Sequence, residues 1–456
     1  MTVNGIAYDN KISGLIKQLS VNKVIIFGAG ARGKYCAECL SELGMYVCAF
    51  FDNNSALWGC WCKETPVIKP QFIENAVVIL AIKGRDYELA EQTALLGFSV
   101  ESLCTYDHVV HLYRERKRDI KAYPHTIQLP ITHLCNFDCV MCGMHHMIKR
   151  KDFDAIELGR ILDDSYYKEV SSIGVNGGEP FLKEDLVDCI LQMCDKLPKL
   201  KDFFFISNGY FTDRILTKLQ EIKRICDDKC IRVHLSLSVD GIGDMQDFHR
   251  GKKGAFSNVE NTIKELRKNL DNYVNSLDII CTITKYNIFA IDEMLIWEKK
   301  NRINVEYNIA SENVRIENSD RYEDFSLFSD MQARMMAAEF FYSRYVITGK
   351  EKYFGLYLFL LTGRRFTECP CHTNEWITIT PDSQIGFCAT HSPKLGSGLD
   401  ESTGIIVSEN LNVLSKIKER YCENCAHYGY KLNGEGYAEL FRDDLLNNHM
   451  LWENIR

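Results

Sequence analysis

Long hydrophobic runs are missing from this chain. No stretch approaches the roughly 20 apolar residues that a membrane-spanning helix needs, and the longest candidate, Tyr353–Leu361, reads as a buried helix. The first residues, Met1–Tyr8, lack the basic-then-apolar pattern of an export signal, so a cytoplasmic location is the expectation. An excess of positive charge is missing as well. A net charge of −8 argues against a general nucleic-acid partner, because phosphate recognition favours basic surfaces. No internal repeat or low-complexity segment is evident. The remaining balance, 46% hydrophobic and 25% charged, is that of a soluble globular protein. The length predicts roughly two to four domains.

Cysteine, by contrast, is plentiful, at nineteen residues. Without an export signal, and with metal-like spacings, reduced thiols fit better than disulfides. Cys36, Cys39, Cys189, Cys194, Cys226, Cys230 and Cys281 lie in helical or strand patterns and read as small buried hydrophobes. Cys135, Cys139 and Cys142 are different: they stand as C-x-x-x-C-x-x-C within Leu134–Gly143. Three thiolates at this spacing can hold three irons of a 4Fe–4S cluster and leave the fourth iron for a non-protein ligand. A zinc knuckle would show paired C-x-x-C units and four ligands.

A series of polar motifs follows apolar strands. Ile127–Thr132 delivers the cysteine loop, and Ser172–Asn176 precedes Gly177, Gly178, Glu179 and Pro180. Phe203–Ile206 precedes Ser207, Asn208 and Gly209, and Val233–Val239 ends in Asp240 and Gly241. Ile279–Thr284 precedes Asn287, and Ile303–Ile309 is the last strand of the series. In a parallel α/β barrel such positions gather on one rim, where active sites are built.

Over residues 120–315 this set resembles the radical S-adenosylmethionine (radical SAM) enzymes. The resemblance implies a partial (β/α)6 barrel, placed here at residues 113–345, and a cofactor cluster on Cys135, Cys139 and Cys142 with S-adenosylmethionine on its open iron. Gly177, Gly178, Glu179 and Pro180 match the motif that contacts the cofactor's amino group. Ser207 and Asn208 match the motif near its methionine and ribose, and Ser238 and Asp240 match S-x-D-G. Arg250 looks like the arginine that pairs with the cofactor carboxylate, a role suited to its planar fork. Where the family usually has an aromatic residue on adenine, this chain has Met141, whose thioether can still pack on a ring. The implied chemistry is reductive cleavage of S-adenosylmethionine to a 5′-deoxyadenosyl radical that abstracts hydrogen from a substrate carbon. A flavodoxin or ferredoxin is the implied reductant.

Residues 1–112 read as a Rossmann-like half-domain. A strand at 22–27 runs into Gly28-Ala-Gly-Ala-Arg-Gly33, a G-x-G-x-x-G between strand and helix. Gly28, Gly30 and Gly33 would permit a tight turn and a phosphate at the helix N-terminus. Asp52 ends the second strand, where a ribose contact is expected. Further strands are expected at 77–82 and 98–103. The domain resembles small Rossmann-like modules of bacterial sugar-modifying enzymes, which implies a nucleotide or nucleotide-sugar; a purely structural domain is the equal alternative. The charged run Tyr113–Arg118 reads as a solvated linker helix.

Residues 346–456 hold Cys369, Cys371, Cys388, Cys422 and Cys425. Ile377–Phe387 reads as a hairpin leading to Cys388. Five thiols are enough for a fully protein-ligated 4Fe–4S cluster; Cys371, Cys388, Cys422 and Cys425 are the preferred four, with Cys369 to spare. The region resembles the twitch or SPASM extension of radical SAM enzymes, although Gly386 lies closer to Cys388 than in that pattern. A structural zinc site, with His372, His391 or His427 as substitute ligands, is the runner-up.

The fold expectation is therefore α/β: a Rossmann-like half-domain, a partial barrel and a small iron–sulfur domain. A carbohydrate or nucleotide-linked sugar, oxidised, epimerised or dehydrated, is the first substrate expectation. A peptide maturase is the second, and a non-catalytic iron–sulfur or nucleotide-sensing protein the third. Glu306, Glu312 and Arg315 could meet substrate, although a solvent-facing position is the ordinary one for such residues.

Overall fold

A computed structural model describes residues 22–116, 123–367 and 369–427. The expectations for the initial residues and for Lys117 and Arg118 fall outside these. Two sheets organise the chain. The first has the strand order β3-β4-β2-β1-β5-β6, from β1 (Lys23–Phe27), β2 (Val47–Phe51), β3 (Trp61–Cys62), β4 (Thr65–Ile68), β5 (Ala76–Leu80) and β6 (Leu103–Thr105). All pairings are parallel except that of the short edge strand β3. Strands such as Lys-Val-Ile-Ile-Phe are apolar on both faces because apolar clusters cover both faces of this sheet.

Five parallel strands make this more than the expected half-domain. The strand expected at 98–103 is also displaced. Val100–Ser102 forms a 3₁₀ turn, and pairing with β5 begins only at Leu103. Phe98 is held instead in an aromatic cluster, 5.1 Å from Phe72 and 6.4 Å from Phe51.

The second sheet follows the order β12-β11-β10-β9-β8-β7-β13-β14-β15. Its first six strands are β7 (Thr126–Pro130), β8 (Ser172–Asn176), β9 (Asp202–Ser207), β10 (Arg232–Ser238), β11 (Ser276–Ile283) and β12 (Val305–Ile309), all parallel. Helices such as Leu186–Lys196, Thr212–Asp228 and Ala255–Lys268 connect them. Alternation places Val233, Leu235 and Leu237 in the core against the helices. The other face of the strands turns to the barrel interior. This is the expected six-unit partial barrel.

The C-terminal strands β13 (Trp376–Ile379), β14 (Gln384–Gly386) and β15 (Gly396–Ser397) do not form a sheet of their own. β13 adds to β7 in parallel, and β14 and β15 follow antiparallel. The boundaries expected at 112/113 and 345/346 fall inside the helices Tyr106–Arg116 and Met331–Thr348. Tyr353–Leu361 lies in a buried helix, Glu351–Thr362, as read from its apolar run. Among the described residues, no helix is long and apolar enough to cross a membrane. Cys230 is not a buried hydrophobe. It is exposed and holds a left-handed backbone (φ 57°) at the end of its helix.

Candidate active site

The cysteine loop follows β7 and lies directly on the turn after β8. The Gly178 amide donates to the Thr132 carbonyl at 2.8 Å, and the Glu179 amide to the Leu134 carbonyl at 2.7 Å. Glycine is required here. Gly177 has φ +125°, and a Cβ on Gly178 would lie 2.0 Å from the Leu134 oxygen. The pair thus supports the loop from below.

Glu179 is buried at 2% exposure. One carboxylate oxygen accepts the Ser207 hydroxyl at 2.9 Å and the Phe181 amide at 3.2 Å; the other accepts the Asn208 amide at 2.7 Å. Burial nevertheless pushes its carboxyl up to about 7. Asn208 donates through Nδ2 to Asn136 Oδ1 at 2.8 Å, which brings the Ser-Asn-Gly turn against the cysteine loop. Asn136 Nδ2 is buried without a hydrogen-bond partner.

Arg250 reaches the same loop from the helix after β10. Its Nε lies 2.7 Å from Asp240 Oδ2, and Nη1 lies 4.0 Å from Cys139 Sγ. Asp240 is fully engaged: it also meets His249 Nδ1 at 2.7 Å and accepts the Thr282 amide at 2.7 Å. Burial opposes its ionisation, but the Arg250 charge and these bonds hold it below the usual carboxylate range. Asp240 thus positions Arg250. Ser238 contributes its carbonyl, which accepts Gln246 Nε2 at 2.9 Å. Gly251 (φ +60°) allows close approach, since its Cβ would meet the Asp138 oxygen at 1.9 Å.

Cys139 is buried, while Cys135 and Cys142 are half-buried; all three pack in one apolar cluster with Phe137, Met141 and Phe325. Burial pushes the Cys135 thiol up to about 12 and raises Cys139 and Cys142 too, while the Arg250 guanidinium works against the rise at each. Each thiol lies within electrostatic range of another of the three. The Met144 amide donates to Cys142 Sγ at 3.5 Å. Three neighbouring thiols are the donor set for a 4Fe–4S cluster with one open iron, and the buried Arg250 charge and the Met144 amide suit the charge on their sulfurs, so the residues fit it.

Several supports escaped the sequence reading. Asp152 accepts from Thr132 Oγ1 at 2.5 Å and meets His133 Nδ1 at 2.6 Å, anchoring the start of the loop. After β12, Asn318 Nδ2 donates to the Met141 carbonyl at 2.9 Å, and the Gly143 amide donates to Ile316 at 3.0 Å. No signal beyond two asparagines in a loop marked this segment.

The five C-terminal thiols converge. Cys369, Cys371 and Cys425 are buried, and Cys388 and Cys422 half-buried. Burial raises Cys422 to about 12 and Cys425 to about 11. Cys369 lies within electrostatic range of Cys371, Cys388, Cys422 and Cys425. The His391 amide donates to Cys388 Sγ at 3.2 Å and the His427 amide to Cys425 Sγ at 3.4 Å. His391 stacks on Tyr421 at 4.7 Å, and His427 Nδ1 lies 2.9 Å from Thr390 Oγ1. Among the described residues, no group of three or more His, Cys, Asp or Glu side chains is drawn together to hold a single metal ion. A cube-shaped cluster spreads its thiolates over separate irons and needs no such point.

A cavity of about 330 Å³ runs from Met141, beside the first thiol set, to Cys425 of the second. Its wall is built by strand alternation. Ile280 and Thr282 of β11 pair with Glu306 and Asn308 of β12, and all four face the cavity. Glu306 is therefore not the solvent-facing strand end expected of it. Its carboxylate meets Lys350 at 2.6 Å and Lys352 at 2.7 Å. Arg315 turns to the C-terminal region instead and donates to the Ala389 carbonyl at 3.1 Å. Glu312 lines a separate pocket with His391.

In the N-terminal domain, Gly28 (φ +114°) makes the turn, and a Cβ on Gly33 would lie 1.9 Å from the Gly28 oxygen. Gly30 has open space beside it. Asp52 turns its carboxylate to the glycine loop, accepting the Ala29 amide at 2.9 Å and the Asn54 amide at 2.8 Å.

Comparison with known proteins bears on the barrel. The family model of the radical SAM superfamily matches residues 129–297. A probable GTP 3′,8-cyclase of Methanococcus maripaludis (strain DSM 14266) is 28% identical over 169 residues, 37% of this chain and 50% of that one. The GTP 3′,8-cyclase of Aquifex aeolicus is 31% identical over 110 residues, 22% of this chain and 33% of that one. The chain spans about half the length of the first of these relatives, or less. Among solved structures, anSMEcpe with bound AdoMet and a peptide is 16% identical with a TM-score of 0.46, covering 73% of this chain and 99% of that one. Streptococcus suis SuiB bound to its precursor peptide SuiA is 15% identical with a TM-score of 0.45, covering 71% and 76%. With the cysteine loop and the two turns packed on it in place, residues 129–297 are a radical SAM domain.

Proposed function

We propose that this protein is a radical SAM enzyme that removes a hydrogen atom from a carbon of a small polar substrate held in the cavity between Met141 and Cys425. The observation that carries the reading is that one cavity is lined both by Met141 of the cysteine loop and by Cys425 of the second thiol set. When bound at Cys135, Cys139 and Cys142, a 4Fe–4S cluster with S-adenosylmethionine would supply a 5′-deoxyadenosyl radical for that abstraction.

The chain's own residues orient and enclose. Glu179, Ser207, Asn208 and Asn136 form a continuous hydrogen-bonded wall beside the cysteine loop. Arg250 holds a buried positive charge near Cys139, suited to a carboxylate. Met141 faces the cavity from the loop, and Ile206, Phe359 and Phe366 give it apolar wall. Cys369, Cys388, Cys422 and Cys425 would hold a second cluster at the far end. Flavodoxin or ferredoxin is the proposed electron donor.

The cavity favours a compact substrate. About 330 Å³ lies at the small end of ligand sites, and Thr282, Asn308, Ser311 and Asn313 offer hydrogen bonds suited to hydroxyl groups. A carbohydrate fits that description better than a peptide chain. Among the described residues lining the cavity, Cys425 is the one thiol, and it belongs to the second set. This favours net oxidation over an epimerisation that needs a cysteine hydrogen donor.

The test is substrate-dependent 5′-deoxyadenosine formation by the anaerobically reconstituted protein with S-adenosylmethionine and a strong reductant. Stimulation by sugar-containing metabolite fractions, lost in Cys139→Ala, is the expected result. Stimulation only by peptide fractions would overturn the substrate class and support a maturase. Absence of 5′-deoxyadenosine from every fraction, with iron incorporated, would overturn the radical assignment.

A further inference from the structure

The N-terminal sheet changes direction between β1 and β5, and the crevice beyond their carboxyl ends is where such sheets hold ligands. Here the rim of that crevice meets the barrel's last helices. Lys83, in the loop after β5, donates from Nζ to the Gly349 carbonyl at 2.6 Å and sits 5.6 Å from the centre of the Tyr345 ring. Arg32, just past the glycine loop, pairs with Asp107 at 3.1 Å and lies 4.1 Å from the centre of the Tyr106 ring, within electrostatic range of Tyr345.

Gly349 is the left-handed cap (φ +69°) that ends the helix Met331–Thr348, and its amide donates to Tyr345 at 2.7 Å. A Cβ there would lie 1.9 Å from Lys83 Nζ, so glycine serves the contact as well as the turn. The next residue, Lys350, donates to Glu306 at 2.6 Å. Lys352 donates to Glu306 at 2.7 Å and to Asn308 at 2.6 Å. Glu306, Asn308 and Lys352 line the cavity. A single turn thus carries the N-terminal domain's contact at one end and the cavity's charged wall at the other.

We infer that Lys83 is a positioning residue for the substrate cavity. By holding the Gly349 carbonyl it fixes the turn from which Lys350 and Lys352 reach Glu306. The N-terminal domain is in this sense part of the cavity's frame. The inference rests on the proposed function only in taking this cavity as the substrate's.

Lys83 is exposed, so its substitution leaves the core intact. The test is trace acetylation of the full-length protein with acetic anhydride under anaerobic conditions, with each lysine's rate read by mass spectrometry. In Lys83→Met, Lys350 and Lys352 should react roughly fivefold faster, the factor set by one lost hydrogen bond in a local opening equilibrium. Lys229 and Lys264, on outer helices of the barrel, should keep their rates, and Lys83→Arg should restore the wild-type pattern. Lys83→Gln, whose amide falls short of the carbonyl, should behave as Lys83→Met. Unchanged Lys350 and Lys352 rates in both Lys83→Met and Lys83→Gln would overturn the inference, as would a rise shared equally by all lysines. The readout uses no S-adenosylmethionine, so its failure is distinguishable from failure of the radical chemistry.

Discussion

The Glu179 carboxylate accepts the Asn208 amide at 2.7 Å, and this bond joins two turns that lie 29 residues apart. It places a titratable group at the base of the cysteine loop, because the Glu179 amide in turn holds the Leu134 carbonyl. Burial raises this carboxyl to about 7 from an ordinary 4.5. A raised carboxyl pKa means stability that is fully present below the unfolded value and lost as pH rises through the folded one. Cluster-free protein should therefore lose stability between about pH 4.5 and 7, and Glu179→Gln should flatten that slope. Urea titrations at pH 5 and pH 8 check this; equal slopes in both proteins would remove Glu179 as the cause.

Gly178→Ala should destroy iron binding at the first site. Its Cβ would sit 2.0 Å from the Leu134 backbone oxygen, which cannot move without carrying Cys135 with it. Gly30→Ala, where the side is open, is the control. The ratio of iron to protein after anaerobic reconstitution should fall for Gly178→Ala and stay unchanged for Gly30→Ala.

Arg250→Ala leaves Asp240 buried beside His249 without its guanidinium partner. Breaking a buried pair in this way costs about 3–5 kcal/mol, to be read from denaturant unfolding of the cluster-free protein. Arg250→Lys should recover part of the stability, yet still bind S-adenosylmethionine more weakly, because an ammonium lacks the planar fork. Equal binding by the lysine variant would show that only charge is used.

The second thiol set should depend on Cys369 more than on Cys371. Cys369 is within electrostatic range of the other four thiols, whereas Cys371 senses chiefly Cys369 and Cys388. Cys369→Ala should halve total iron per chain, and Cys371→Ala should retain most of it. The reverse order would return Cys371 to the ligand set and make Cys369 the spare.

The barrel was legible because its strands bury every second residue against the helices, a period of two that shows in the sequence, and each strand ends in a motif with its own chemistry. Cys135, Cys139 and Cys142 needed only local spacing. Glu179, Ser207 and Asn208 could be read as strand-end residues, yet their bonds to one another could not, because they join residues 28 and 29 positions apart. Asp152 and Asn318 carried no signal at all. An aspartate or asparagine in a loop has no periodicity, and its partner is chosen by how strands neighbour one another.

Spacing and pattern by themselves determined the cysteine loop and the strands that carry the polar turns, while the chemistry expected there came with the resemblance to a family. Thiol spacing, turn glycines and strand alternation are local properties, set by bond geometry and by which side chains shun water. Tertiary structure alone decided which thiols of the second set meet, that Glu306 faces a cavity instead of solvent, and that β13 extends the barrel sheet. It also decided that Lys83 reaches Gly349, 266 residues away. Such contacts depend on the packing of whole elements, where a burial gain shared by many residues fixes the place of each polar group.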